Sequence, residues 1–187
     1  KLRARQYSVK PNRAHVLLAD LEKDFRVVVV TQNVDNLHER AGSKYVIHLH
    51  GELDKVCSSR SPNDLRYIKR LDRKHCKVKL GDLAPDGSQF RPFIVWFGEP
   101  VPRMDEAIAA AQTADIFLII GTSLNVYPAA GLLDFVRPDA KIYLIDPKKV
   151  PIPAGRNVRV IQEKASPGME IFAREIRKNL PDNPAGR

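Results

Sequence analysis

Apolar residues along this chain recur with two different spacings. At Ala14, Leu17, Leu18, Leu21 and Phe25 they return every three or four positions, the period of a helix with one buried face. Pro11-Asn12 just ahead supplies a stop and an N-cap, and the charged stretch Lys1 to Gln6 is itself compatible with a helix. Arg26 to Thr31 is a β-branched run without alternation, the pattern of a strand covered on both sides. A helical segment through Leu37 and Arg40 ends at Gly42, and Tyr45 to His50 reads as a second short strand. The pattern resumes after residue 90 with a strand over Phe93 to Phe97 and a helix over Met104 to Thr113. The clearest buried strand follows, Ala114 to Ile120, then a helix from Pro128 to Val136 and strands at Lys141 to Ile145 and Val158 to Ile161. Ser166-Pro167 is read as N-cap and N1 of a last helix with Met169, Phe172, Ile176 and Leu180 inward. The tail from Pro181 to Arg187 is expected to be loose.

Strands and helices in alternation predict an α/β fold, a Rossmann-like doubly wound and mostly parallel sheet. Between Asp54 and Gln89 serine, proline, glycine and charge dominate and no period emerges. Residues 54–90 are therefore assigned to a small inserted module, and residues 1–53 and 91–187 to the main domain. Three predicted strands end in polar or glycine-containing residues: Thr31 to Asp35, Gly121 to Ser123, and Asp146. In a parallel sheet such ends share one edge, where a dinucleotide lies.

With 187 residues, 43% hydrophobic and 28% charged, the chain is long enough for a real core and ordinary in composition. No run approaches the length of a membrane span and the start does not resemble a signal peptide, so a cytoplasmic location is expected. The formal charge of +9 is spread along the chain rather than gathered in one helix or tail, so no specific nucleic-acid partner is expected. A monomer is the expected state.

The most informative stretch runs from Thr31 to Gly51. It places Gln32, Asn33, Val34 and Asp35 after a buried strand and His48-Leu49-His50-Gly51 shortly beyond. Amides and a carboxylate at a strand end suit ligand binding, and an imidazole nearby suits proton transfer at neutral pH. His48 and His50 are equally eligible on chemistry alone, and Asp35 equally suits a helix cap.

This stretch closely resembles the sirtuin (Sir2) family of NAD-dependent protein-lysine deacylases, of bacterial type. Arg91-Pro92-Phe93-Ile94-Val95-Trp96-Phe97-Gly98-Glu99 matches a second block, and Gly121-Thr122-Ser123 followed by Tyr127-Pro128-Ala129-Ala130 a third. The resemblance implies transfer of an acetyl, succinyl or malonyl group from lysine to ADP-ribose with release of nicotinamide, with acylated-lysine proteins or peptides as partners. It implies Asn33 and Asp35 at the nicotinamide, Gln32 on the ribose hydroxyls, and Val34, Gly121, Thr122, Ser123, Asp146 and Ala165 along the rest of the cofactor. Because the family's base directly precedes a glycine, the resemblance selects His50 over His48. It makes Val95, Phe97, Gly98 and Glu99 the acyl-lysine channel, with core packing as the plain reading of Phe93 and Trp96. Arg3, or else Arg5, is the candidate partner for an acyl carboxylate.

Two departures accompany the resemblance. Relatives commonly hold a zinc ribbon with two Cys-x-x-Cys pairs in the insert, whereas Cys57 and Cys76 stand alone and His75 does not complete a tetrahedral set. No zinc is expected, and both cysteines are read as packing residues. No Gly-x-Gly turn stands near Lys1, so the N-terminal part of the fold is expected to lie outside this chain, and the fragment to bind NAD poorly and to be weak or inactive. The competing reading is an NAD sensor or ADP-ribosyl transferase using the same pocket.

Overall fold

The computed structural model describes residues 2–122, 129–152, 155–178 and 180. A short helix α1 (Leu2–Gln6) precedes α2 (Arg13–Asp20), which opens as the pattern predicts. The Asn12 side chain accepts from the N–H groups of Ala14 and His15, and the His15 ring reaches back to the Asn12 N–H. Strand β1 (Val29–Thr31) runs parallel to β2 (Val46–His48), with Thr31 opposite His48. Between them α3 (Leu37–Ala41) stops at Gly42, whose φ of 110° is the left-handed conformation that glycine adopts at low cost.

Strand β3 (Gly51–Ser58) is the centre of an antiparallel sheet, flanked by β4 (Lys69–Arg70) and β5 (Phe90–Ile94). This sheet begins one residue after His50, so the 54–90 stretch is joined to the candidate site through β3 and β5, whose pairing shifts register between Gly51 and Val56. Its polar residues are held by side-chain hydrogen bonds: Ser58 Oγ meets Asp86 and Ser88, and the Gln89 amide spans three carbonyls. Cys57 is fully buried, its thiol 3.8 Å from the Pro92 carbonyl.

Helix α4 (Met104–Gln112) leads to β6 (Ile116–Ile120), then a 3-10 segment over Ala129–Phe135, β7 (Lys141–Ile145), β8 (Val158–Ile161) and α5 (Ala165–Lys178). Strands β6, β7 and β8 form a parallel sheet in that order. Alternate strand residues feed two apolar layers. Ile119, Ile142 and Leu144 meet Ile47, Leu49 and Ala107 in one; Tyr143, Ile145 and Ile161 meet Leu17, Met169 and Phe172 in the other. Helices therefore cover both faces of the parallel strands, the doubly wound arrangement expected.

Several boundaries differ from the sequence reading: the helix expected over Pro128 to Val136 is the 3-10 segment Ala129–Phe135, and Leu180, expected inward on the last helix, lies beyond its end and is exposed. The strand expected over Phe93 to Phe97 lies at Phe90–Ile94, because the chain leaves the ladder at a turn closed by Gly98 (φ 88°) and a Glu99 N–H to Trp96 carbonyl bond. Trp96, read as core, is exposed there, and so is Phe97. The last helix starts at Ala165, so Ser166-Pro167 lie inside its first turn rather than capping it. Gly168 explains that helix's depth, since a Cβ there would meet Ile145 Cγ2 at 2.3 Å.

Candidate active site at the strand ends

The backbone after β1 is fastened one carbonyl at a time. Thr31 O accepts from the Leu49 N–H at 2.9 Å, Gln32 O from His50 Nδ1 at 3.2 Å, Asn33 O from His48 Nδ1 at 3.1 Å, and Val34 O from the Leu53 N–H at 2.7 Å. Every donor comes from residues 48–53. The parallel ladder between β1 and β2 is thus continued past its end by two imidazole rings. On the donor side, the Asn33 N–H is turned onto Thr31 Oγ1 and the Leu37 N–H onto Asp35 Oδ1. Asp35 accordingly does hold the start of α3, while the Asn33 side chain is exposed at the loop's crest.

A carbonyl can only accept, so each ring carries its hydrogen on Nδ1. For His50, half-buried and with no other ring hydrogen bond among the described residues, this leaves Nε2 with a free lone pair. His48 is different: it is 3% exposed, and its Nε2 lies 2.7 Å from Glu39 Oε1. Burial works against its charge, but the Glu39 carboxylate and the Asn33 carbonyl outweigh that and raise its pKa. Glu39 moves oppositely; burial works against its charge too, yet the bond from His48 lowers its pKa on balance. The two histidines that chemistry alone could not rank are therefore a saturated, ion-paired one and an available one.

Gly51 follows with φ 82°, and a Cβ added there would sit 2.1 Å from the Phe93 carbonyl oxygen. The glycine lets the chain reverse from β2 into β3 while pressed against β5. The His50 carbonyl then accepts the Val95 N–H at 3.0 Å, which ties the predicted acyl-lysine segment to the predicted base. Beside that segment, Val95 and Glu99 join Pro62, Phe93 and Ile94 around a cavity of about 200 Å³. Arg91 and Glu99 pair across it at 2.9 Å. A larger concavity, about 590 Å³, lies between α2 and α5 and contains none of the candidate residues.

A second group forms where β6 and β7 end. The Gly121 N–H bonds the Ile145 carbonyl at 3.0 Å, and Gly121, at φ 59°, has open space where a Cβ would be. Asp146 is buried, with Oδ1 accepting the Lys148 N–H at 2.8 Å. Thr122 follows Gly121, Ala165 begins α5, and Ser123 lies outside the described residues. The structure brings Gln32, Asn33, Val34, Asp35, His50 and Val95 together, and Gly121 together with Asp146; the two sets belong to separate sheets.

Arg3 donates to the carbonyls of Leu53 and Cys76, bridging α1 to β3 and to the inserted stretch. Among the described residues one group of three potential metal-ligating side chains occurs, Glu39, His48 and Glu52, with ligand atoms within 4.8 Å of one another. All three are already engaged, Glu52 by Lys55 and Arg70. The Glu39–His48 pair is the feature the sequence reading missed. The His-x-His spacing and a glutamate on the intervening helix were the available signals.

Parallel strands covered on both faces, ending in polar loops with an unengaged imidazole beside one of them, define a doubly wound α/β protein of nucleotide-binding type with catalytic capacity. The chain belongs to the Sir2 family, whose model matches residues 1–128. An NAD-dependent protein deacylase of Bacteroides thetaiotaomicron is 61% identical over 162 residues, covering 87% of this chain and 69% of that protein. Among solved structures, a Sir2 homologue in complex with ADP-ribose matches with a TM-score of 0.81 and 34% identity, over 98% of this chain and 76% of the other. A Sir2 protein bound to a propionylated peptide matches at 0.72 and 33% identity, over 93% of this chain and 73% of the other.

Proposed function

We propose that this chain carries the catalytic centre of an NAD-dependent protein-lysine deacylase, acting on acylated-lysine proteins or peptides. The observation that carries the reading is the fastened loop: four successive carbonyls are bound from residues 48–53, and that same bonding leaves His50 Nε2 free as a base. The donor set fits the cofactor. The side-chain amides of Gln32 and Asn33 take no hydrogen bond among the described residues, and Asn36 Oδ1 is buried without a protein partner. A carboxamide and ribose hydroxyls are the kind of groups these would satisfy.

When bound, NAD supplies an electrophilic ribose carbon and nicotinamide as leaving group. Asn33 and Asp35 orient the carboxamide, Gln32 and Val34 line the ribose, and His50 Nε2 takes the proton that a ribose hydroxyl gives up. Gly121, Thr122, Ser123, Asp146 and Ala165 hold the remainder of the dinucleotide, with the open space at Gly121 admitting close approach of a phosphate. Val95, Phe97, Gly98 and Glu99 receive the acyl-lysine, beside the exposed turn that follows Ile94. Arg3 spends two of its five N–H donors on the Leu53 and Cys76 carbonyls, and the remaining donors can face an acyl carboxylate, so both neutral and acidic acyl groups stay in the reading. Residues 1–53 and 91–187 act as the main domain and 54–90 as a module bracing the channel, in a cytoplasmic monomer without zinc or a nucleic-acid partner.

The test is to incubate the protein, extended to the length of the relatives it matches, with acetyl-, succinyl- and malonyl-lysine peptides, with and without NAD, and to follow peptide mass and nicotinamide. NAD-dependent loss of the acyl mass with matching nicotinamide is expected. Nicotinamide release that ignores the acyl-lysine would replace this reading with a sensor or ADP-ribosyl transferase.

A further inference from the structure

We propose that His48, held as an imidazolium between the Glu39 carboxylate and the Asn33 carbonyl, is a positioning residue that fixes the Gln32–Asp35 loop beside His50. The inference rests on the deacylase reading of that loop and adds a group which does not itself touch substrate. It follows from hydrogen-bond inventory. Nδ1 of His48 faces a carbonyl oxygen at 3.1 Å and Nε2 faces a carboxylate oxygen at 2.7 Å. Neither acceptor carries a hydrogen, so a ring satisfying both must carry two. The His48 ring itself is 3% exposed, while the Glu39 side chain is partly open to solvent, and a charge-assisted bond of this kind is the stronger sort.

The remaining charged groups around the ring support the same state. His38, on α3 with Glu39, is held neutral by burial and by the nearby His15, down to about 4. Glu52 on β3 adds negative potential at His48 but is itself tied to Lys55 and Arg70, so Glu39 is left as the direct counter-ion. Engagement of all three carboxylate and imidazole groups in such bonds also explains why the trio Glu39, His48 and Glu52 is an ion-pair cluster rather than a metal cage. The loop is therefore latched twice by rings two residues apart: His50 Nδ1 on the Gln32 carbonyl and a charged His48 on the Asn33 carbonyl.

Glu39→Gln separates charge from shape. A neutral His48 can keep Nδ1–H on the Asn33 carbonyl and accept from the Gln amide at Nε2, so the fold is retained while the imidazolium is lost. Proton–nitrogen NMR of the rings and of the Val34 amide, whose peptide group contains the Asn33 carbonyl, reads the latch directly. In the wild-type chain the His48 ring is expected to carry both protons at pH 7, with the Val34 amide shift following its titration. In Glu39→Gln the ring is expected to be neutral at pH 7. In turnover, Glu39→Gln is expected to lower kcat about tenfold, the size of effect that misplacing a catalytic group produces, and to shift its pH profile while KM for the peptide is unchanged. A wild-type His48 that is neutral at pH 7 overturns the proposal, as does a Val34 amide indifferent to its titration, or a Glu39→Gln variant with unaltered kcat and pH profile. A wild-type chain that binds neither NAD nor acyl-peptide sinks the deacylase reading alone, and the Val34 titration still decides whether His48 sets the loop.

Discussion

The ends of β1 and β6 are both strand termini of a doubly wound fold, yet they are built in opposite ways. After β1 the carbonyls of residues 31 to 34 are each bound, the next helix is capped by Asp35, and two histidines close the frame. After β6 the chain passes through Gly121, with open space on its Cβ side and a left-handed φ. The first end fixes its backbone to within hydrogen-bond tolerances, which suits proton transfer because its efficiency falls steeply with misplacement. The second keeps open space beside Gly121, whose own N–H is taken by the Ile145 carbonyl, so what it offers a bulky group is clearance. Hydrogen-bonded backbone marks the end of β1, and clearance the end of β6.

The contrast can be broken most severely at the base. His50→Ala is expected to reduce deacylation about a thousandfold, in the range of losing a general base, while thermal unfolding stays close to wild type, since the ring makes a single carbonyl bond; progress curves with acetyl-lysine peptide check it. Next comes Gly51→Ala, which forces a left-handed backbone on an L-residue and drives a Cβ into the Phe93 carbonyl. It should cost about 3 kcal/mol of stability, from combined backbone and overpacking terms, and denaturant titration would show it. Gly121→Ala carries the conformational cost without the clash, so about 1 kcal/mol is expected by the same measurement; a loss as large as that of Gly51→Ala would erase the distinction between the two ends.

The last effect, read as a pH slope rather than a loss at neutral pH, concerns the helix that supports the fastened loop. Burial, and then the neighbouring His15, hold His38 neutral in the folded chain down to about 4, whereas an unfolded histidine takes up its proton near 6.5. As pH falls from 6.5 towards 4 the unfolded state therefore binds a proton that the folded state refuses, and stability declines. His38→Phe keeps the ring shape and removes the titration. Its melting temperature should fall less steeply than the wild type's over that interval, while the two differ little in slope above pH 7.

Much of this molecule could be read in advance, and the misses share one cause. The cap at Asn12, the stop at Gly42 and the apolar face of α2 were local, each decided by residues within one helical turn. The ends of β5 and α5 were displaced because a turn at Gly98 and the close seat of Gly168 on Ile145 are tertiary matters. Trp96 looked like core on hydropathy, and the same turn left it exposed. Asp35 was open between capping and catalysis; the coordinates show the cap, and its share in chemistry belongs to the proposal.

The sequence by itself determined the alternation of elements, the polar punctuation at strand ends and the family, because those depend on periodicity and on residue types in order. It did not distinguish His48 from His50 on chemical grounds, since identical rings two positions apart differ only in what they face. Folding decided that by laying Glu39 and the Asn33 carbonyl against one ring and only the Gln32 carbonyl against the other. A side chain's chemistry is set by its type, but its protonation and its freedom to react are set by neighbours that the fold brings from elsewhere in the chain.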